Sequence, residues 1–187
     1  MTRARIFLCS IVLPLSALVQ AQAQQPGVLT EWDVQKVVET IASQTTRLQP
    51  LIAEIHPNDW TAKGAPDAYI QQWGSVRNEA QALKRSSDNL VHEPGRLTTA
   101  MDTYFRLQDL EGSLGSLIEG VRKYQNPALA DLLRGVLAEN DSSRRQLRQY
   151  VVDLAATREQ EFKVVDKEAQ RCREAVTRPA GAPARKK

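Results

Sequence analysis

The chain has 187 residues, of which 25 are basic and 22 are acidic, giving a formal net charge of +3 at pH 7. Four of the basic residues lie in the last ten positions, so the basic character is local and the region before them is not enriched in positive charge. A nucleic-acid-binding domain needs a concentrated basic face on its folded part, and this charge distribution therefore argues against nucleic acid as a partner.

The N-terminus has the three parts of a secretory signal peptide. A positively charged segment (residues 1–5) precedes an apolar run of 14 residues (residues 6–19), and Ala21 and Ala23 offer two alternative cleavage positions. A helix that spans a bilayer needs about 20 residues, so cleavage is favoured over a short permanent tether. Residues 1–23 are therefore predicted to be a signal peptide, and the mature protein to be periplasmic or secreted without stable membrane insertion.

After a short linker (residues 24–29), apolar residues recur at helical spacing and predict a first helix over residues 30–55. Thr30 and Asp33 form an acidic variant of the capping box, which satisfies backbone N–H groups at the helix start. Pro50 lies inside this pattern and should kink the helix, because proline removes a backbone donor and crowds the preceding turn.

Three further helices are predicted, over residues 66–91, 96–124 and 127–176. Asn126 and Pro127 mark the start of the last one. Asparagine is a favoured N-cap, and proline is tolerated at the first helical position because its missing N–H donor costs nothing there.

Helices joined by short connections fold back on each other, so the sequence predicts an all-α, antiparallel (up-down-up-down) four-helix bundle at residues 30–176. The last helix has about 50 residues, which exceeds the others by roughly 30 Å of helix. Either it breaks at residues 140–143 (Asn-Asp-Ser-Ser) and the pieces repack, or residues after about Leu154 project as an extended C-terminal helix. Residues 177–187 form a predicted disordered basic tail, since they offer nothing apolar to bury.

A narrow apolar stripe runs along the C-terminal part of the last predicted helix. Its members are spaced three and four residues apart, as are the a and d positions of a coiled coil, and they are Phe162, Val165, Ala169, Cys172 and Val176. Charged residues of both signs surround the stripe, so it is expected to pack on the first helix of its own chain or on the same helix of another chain. The predicted partners are accordingly another envelope protein or a second copy in a homodimer.

Cys172 is the one cysteine that follows the predicted signal peptide, because Cys9 lies inside it. A single cysteine cannot close an internal disulfide. The favoured interpretation is a buried thiol that packs as a small apolar residue. The alternative is a disulfide with the same residue of a second chain, which requires Cα atoms about 4.4–6.8 Å apart.

Small residues line one side of the third predicted helix, at Gly112, Gly115, Ser116 and Gly120. Each glycine in a helix interior costs about 1 kcal/mol relative to alanine, so these glycines need a structural reason. The favoured interpretation is close packing of a neighbouring helix against the backbone. The alternative is a flat ligand such as haem lying on the same face.

Three aromatic residues, Trp60, Tyr69 and Trp73, lie in and beside the connection between the first two predicted helices. Tryptophan and tyrosine are enriched at binding hot spots, so these residues could form an aromatic binding patch. A plug that closes the end of the bundle is the favoured interpretation, because large aromatic side chains bury most of their surface when a core is near.

The chain carries no motif for catalysis, metal binding or cofactor attachment. It lacks the Cys-x-x-Cys-His of c-type haem attachment, the Glu-x-x-His of di-iron bundles and the Gly-x-Ser-x-Gly of a serine nucleophile. Noncovalent haem would need axial ligands from Met101, His56 and His92, and both histidines fall at predicted helix ends. No catalytic, metal-binding or cofactor-binding residue is therefore predicted, and the protein is not expected to be an enzyme.

Together these patterns predict an exported, non-enzymatic helical bundle that acts as an interaction or scaffold module of the cell envelope. One alternative is a periplasmic bundle that binds a small ligand, haem included, beside the glycines of the third helix. The other is a periplasmic holdase chaperone, which would need exposed apolar surface on the mature protein.

Overall fold

The computed structural model describes residues 30–177, without the side chains of Glu31 and Trp32. The predicted signal peptide, the linker and residues 178–187 of the predicted tail lie outside this range. The described residues form four α-helices, namely α1 (Glu31–Ala53), α2 (Ala68–His92), α3 (Leu97–Tyr124) and α4 (Pro127–Thr177). Two short 3-10 helices, Pro57–Asp59 and Thr61–Lys63, connect α1 to α2. None of the helices in this part of the chain is both long and apolar enough to cross a bilayer.

The predicted capping residues begin their helices as expected. Thr30 Oγ1 accepts a hydrogen bond from the backbone N–H of Asp33 at 3.3 Å and donates one to the Asp33 carboxylate at 2.7 Å. Asn126 Oδ1 accepts a hydrogen bond from the backbone N–H of Ala128 at 2.9 Å, and Pro127 is the first residue of α4. These bonds satisfy first-turn N–H groups that have no partner within the helix.

The four helices pack in antiparallel order around one core, which confirms the predicted bundle. Near the start of α1, Gln35 Nε2 donates a hydrogen bond to the Val91 carbonyl near the end of α2. At the other end of this pair, Trp73 Nε1 near the start of α2 donates to the Ile52 carbonyl near the end of α1. α3 packs on α2, and α4 packs on both α3 and α1, which closes the bundle.

Apolar residues from all four helices fill the core. Full burial of one Val, Leu or Ile side chain stabilises the fold by about 1.5–3 kcal/mol relative to leaving it exposed. The fully buried aliphatic residues include Ile41, Leu48, Ile52, Val76, Leu83, Leu90, Leu107, Leu110, Leu114, Leu117, Leu133 and Leu147. The contribution of α4 to this core ends at Leu154, the last buried residue among those described.

Helix α4 is continuous through residues 140–143, where the sequence allowed either a break or a continuous helix. Asn140 and Ser143 are buried and continue the core stripe between Val136 and Leu147, with spacings of four, three and four residues. The helical register of the flanking apolar residues therefore prevails over the tendency of Asn and Ser side chains to favour caps.

The C-terminal part of α4 leaves the bundle, which confirms the predicted extended helix. We call residues 158–177 the α4 extension. Every side chain in it is exposed except that of Asp166, which is partly exposed. At 1.5 Å per residue, its length is about 30 Å.

The polar side chain of Asn140 generates a stability prediction. Asn140 is 1% exposed, and neither its Nδ2 nor its Oδ1 atom has a hydrogen-bond partner among the described residues. A buried amide without partners costs about 1–3 kcal/mol. We therefore expect Asn140→Leu to raise the free energy of unfolding by about 1–2 kcal/mol in urea titrations followed by circular dichroism. Asn140→Ala is the control for lost volume, and a lower stability of Asn140→Leu would contradict the prediction.

A second stability prediction concerns pH. Burial raises the pKa of the Glu111 carboxyl above its ordinary value, although the Arg144 guanidinium 3.0 Å away acts in the opposite direction. An acid whose pKa is higher in the folded state than in the unfolded state destabilises the fold once it ionises. The free energy of unfolding therefore falls as pH rises from the unfolded-state pKa to the folded-state pKa. Glu111→Gln should therefore raise the free energy of unfolding at pH 7, and the gain should vanish below about pH 4.

Urea titrations at both pH values measure this effect. Glu119→Gln is the matched control, because Glu119 is an exposed carboxylate on the same helix that also pairs with an arginine of α4. A gain that is equal for both variants, or a gain that persists in acid, would contradict the assignment to Glu111.

Candidate functional site

The predicted apolar stripe lies on the α4 extension and is uncovered. We call its five residues the seam: Phe162, Val165, Ala169, Cys172 and Val176. Phe162 is 72% exposed, Val165 65% and Val176 86%, and Ala169 and Cys172 are also exposed. The expectation that α1 of the same chain covers the seam is wrong, because the start of α1 lies beside the end of α2, at the level where the extension leaves the bundle.

The seam continues the face of α4 that is buried inside the bundle. Val165 follows Leu154 by 11 residues, which is about three turns at 3.6 residues per turn, so the two side chains lie on the same side of the helix. Phe162 and Ala169 flank this line at spacings of three and four. The stripe that builds the core thus runs on into solvent.

Two hydrogen bonds to the α2–α3 connection fix the point at which α4 leaves the bundle. The Tyr150 hydroxyl donates to the Pro94 carbonyl. Arg158 Nη2 donates to the Gly95 carbonyl at 2.7 Å, and its Nη1 pairs with Glu161 at 2.7 Å. The first turn of the extension is therefore attached to the bundle on one side.

An apolar groove lies beside this attachment. It has a volume of about 400 Å³, and it is lined by Leu97, Ala155, Arg158, Glu159, Phe162 and Lys163. Phe162 belongs to both the groove and the seam. The groove therefore extends the apolar surface from the extension onto the start of α3.

Acidic residues flank the first part of the seam. In the coiled-coil convention, with Phe162 at a and Val165 at d, the flanking e and g positions hold Glu159, Glu161, Asp166 and Glu168. Lys167 lies on the opposite side of the helix, and Lys163 lines the apolar groove. Arg158 pairs with Glu161, and Arg171 pairs with Glu168 at 2.6 Å. These pairs are exposed, and such pairs contribute little because water and salt screen them.

Cys172 is a free, exposed thiol. The favoured expectation of a buried thiol is therefore wrong within residues 30–177, because none of them packs against the extension at this height. A disulfide with a second chain stays a prediction.

The aromatic residues at the far end of the bundle are packed inside it. Trp60 is 1% exposed. Its ring stacks on Tyr124 with centroids 6.1 Å apart, and it packs edge-to-face with Tyr69 with centroids 5.4 Å apart. Trp73 is partly buried, with the Arg77 guanidinium 4.7 Å from its ring centroid. These positions support the plug over the open binding patch.

Gln125, which the sequence interpretation missed, holds this plug together. Its Oε1 accepts hydrogen bonds from Trp60 Nε1 at 3.1 Å and from the backbone N–H of His56 at 2.9 Å. Its Nε2 donates to the Glu54 carbonyl. The position of Gln125 directly before the Asn126 cap is the only signal in the sequence, and it does not reveal these partners.

The glycines of α3 have different surroundings. A Cβ atom at Gly120 would lie 2.8 Å from Trp60 Cζ3 and from Tyr69 Cε1, whereas a Cβ at Gly112 or Gly115 would meet nothing within 4 Å. The close approach at Gly120 thus involves two aromatic rings. The prediction of close helix packing is wrong for Gly112 and Gly115, because no neighbouring helix approaches either backbone, and Ser116 beside them is exposed.

The residues considered as haem or metal ligands do not converge. His56 is exposed at the aromatic end of the bundle, His92 is exposed at the opposite end, and Met101 is 37% exposed on α3. Within residues 30–177, no three His, Cys, Asp or Glu side chains form a group that could hold a metal ion.

Comparisons with other proteins give no family assignment. No protein-family model matches the chain, and no characterised protein or solved structure is significantly similar to it.

The contrast between the glycines generates a matched pair of substitutions. Gly120→Ala should lower the free energy of unfolding by about 1–3 kcal/mol, because the new methyl group displaces the rings of Trp60 and Tyr69. Gly112→Ala should raise it by about 0.5–1 kcal/mol, because alanine is the better helix former and the position is open. Urea titrations of the two variants measure both effects, and changes of the same sign would contradict this description of the two sites.

Proposed function

We propose that this protein is an exported, non-enzymatic interaction module of the cell envelope, and that the seam of the α4 extension binds a helix of another envelope protein. The observation that carries the proposal is the exposure of the seam along about 20 Å of helix. Exposed apolar surface that forms a continuous stripe, rather than scattered residues, is typical of interaction sites.

A partner helix would stabilise the complex by burying the apolar side chains of the seam. Burial of the Phe162, Val165 and Val176 side chains would contribute about 1.5–3 kcal/mol for each side chain from apolar area alone. Association costs at least several kcal/mol in lost freedom. The α4 extension lowers this cost, because it is already helical and continuous with the packed part of α4. A partner helix therefore meets a preformed surface.

Export is the second part of the proposal. It rests on the signal-peptide pattern of residues 1–23, which lies outside the described residues. The location of the mature protein in the periplasm or outside the cell is accordingly proposed from the sequence alone.

A holdase chaperone is the second candidate, and the exposed apolar residues favour it. Besides the seam, Met101 and Phe105 on α3 and Val152 on α4 are exposed. A holdase would suppress aggregation of unrelated unfolded proteins, whereas an interaction module would not. The small-ligand alternative has no comparable support, because Gly112 and Gly115 face open space.

Neighbouring valines allow a matched test of the interaction module. Val165 lies on the seam and is 65% exposed, and Val164 lies off the seam and is 61% exposed. Val165→Asp should weaken partner binding by more than about tenfold, since it places an unpaired carboxylate in the buried interface. Val164→Asp should leave binding almost unchanged.

The measurement is site-specific photocross-linking in the periplasm from a probe at position 169, with each valine variant in turn. The expected result is a discrete cross-linked product that Val165→Asp removes and Val164→Asp retains. Thermal unfolding should be equal for both variants, because the extension contributes nothing to the core. Equal cross-linking by both variants would contradict the proposal.

A further inference from the structure

The charges beside the seam indicate the chemistry of its partner, an inference that rests on the proposed function. In a two-helix coiled coil, residues at the e and g positions lie beside the apolar seam and face the corresponding residues of the other helix. On the α4 extension, residues 159–168 place acidic side chains at all four of these positions and a basic side chain at none. The partner therefore meets a negative border on both sides of Phe162 and Val165.

The basic residues of the extension neutralise this border only in part. Lys167 lies on the far side of the helix from the seam, and Lys163 lines the groove. Arg158 already donates to the Gly95 carbonyl and pairs with Glu161, and the pair between Arg171 and Glu168 is exposed. Glu159 has no ion pair within residues 30–177, and Asp166 accepts a hydrogen bond from Gln170, which is uncharged.

A second copy of the chain is a poor match for this border. In a parallel, in-register pair, Glu161 at g would face Asp166 at e of the other copy, and symmetry would repeat this repulsion. The same arrangement is the one that would bring two Cys172 thiols together. An antiparallel copy would supply one basic flanking residue, Arg173, against the four acids.

We infer that the seam binds a basic amphipathic helix of another protein. This helix carries apolar residues at a and d spacing and Lys or Arg at the positions beside them. Opposite charges at the border set the choice of partner and its register, while the apolar seam supplies most of the affinity. The groove beside Leu97 and Phe162 receives an apolar side chain from the end of the helix that lies nearest the bundle.

Two synthetic peptides test the inference. Both have about 21 residues, three heptads with leucine at every a and d position. One carries lysine at e and g, and the other carries glutamate. Binding to the protein purified from the periplasm is measured by fluorescence anisotropy. The lysine peptide should bind at least about tenfold more tightly at low salt, and its advantage should shrink in about 1 M salt, where the Debye length is about 3 Å.

Charge-reversal variants assign the preference to the border. Glu161→Lys with Asp166→Lys should abolish the preference for the lysine peptide. Gln160→Lys with Gln170→Lys and Glu174→Lys adds the same four units of positive charge at b and f positions, away from the seam and the groove, and should retain it. Loss of the preference in both variants would show that net charge, and not the border, determines binding, and would overturn the inference.

The remaining outcomes separate this inference from the proposed function. The basic partner is overturned by equal binding of the two peptides, by no binding of either, or by a preference for the glutamate peptide. In each of these cases the proposed function stands if Val165→Asp, and not Val164→Asp, still removes the cross-linked product. A dimer detected by sedimentation velocity overturns the basic partner in favour of a second copy if both peptides compete with dimer formation, or if reductant dissociates the dimer. The proposed function itself fails when Val165→Asp and Val164→Asp behave alike.

Discussion

The height of the bundle is the constraint on which the rest of the structure depends. An apolar stripe on a helix stabilises a fold only where another element covers it. Helices α1, α2 and α3 have 23, 25 and 28 residues, whereas α4 has 51. The core therefore ends near Leu154. The pattern that builds it continues through Phe162 and Val165, which no other helix of the described part of the chain covers.

The same constraint explains how a solvent-exposed helix of this length is held in place. An isolated helix of about 20 residues is marginally stable in water, because its first turn is costly to form. The α4 extension avoids this cost, since the packed part of α4 supplies a formed helix from which it continues. Tyr150 and Arg158 attach its base to the Pro94 and Gly95 carbonyls, while the Trp60 plug and Gln125 close the opposite end of the bundle.

Much of this fold could be predicted from the sequence, because the signals are local. Helix boundaries agree to within about two residues, since Thr30, Asn126 and Pro127 act on backbone groups next to them. Whether the helix continues through residues 140–143 depends on contacts in the core. Local propensity favours a break there, but the burial of Asn140 in register with Leu147 depends on the other three helices.

The surroundings of the candidate site could not be predicted in the same way. Spacing identifies residues that share a side of a helix, but not what that side faces. For this reason Gly112 and Gly115 were expected to contact a neighbour and instead face solvent. Gln125 was missed because its partners, among them Trp60 and Glu54, are more than sixty residues away in the chain. The seam was predicted, since its spacing is local, but its exposure depends on the lengths of the other helices.

An even number of antiparallel helices returns a chain to the side from which it set out. The start of α1 and the base of the α4 extension therefore share one end of the molecule, beside the α2–α3 connection. A group attached at Thr30 therefore lies near the base of the extension. The loop around Gly64 stands at the other end, about 40 Å away along a helix the length of α3. That loop is therefore a suitable place to attach a fluorophore or a surface without obstructing the α4 extension.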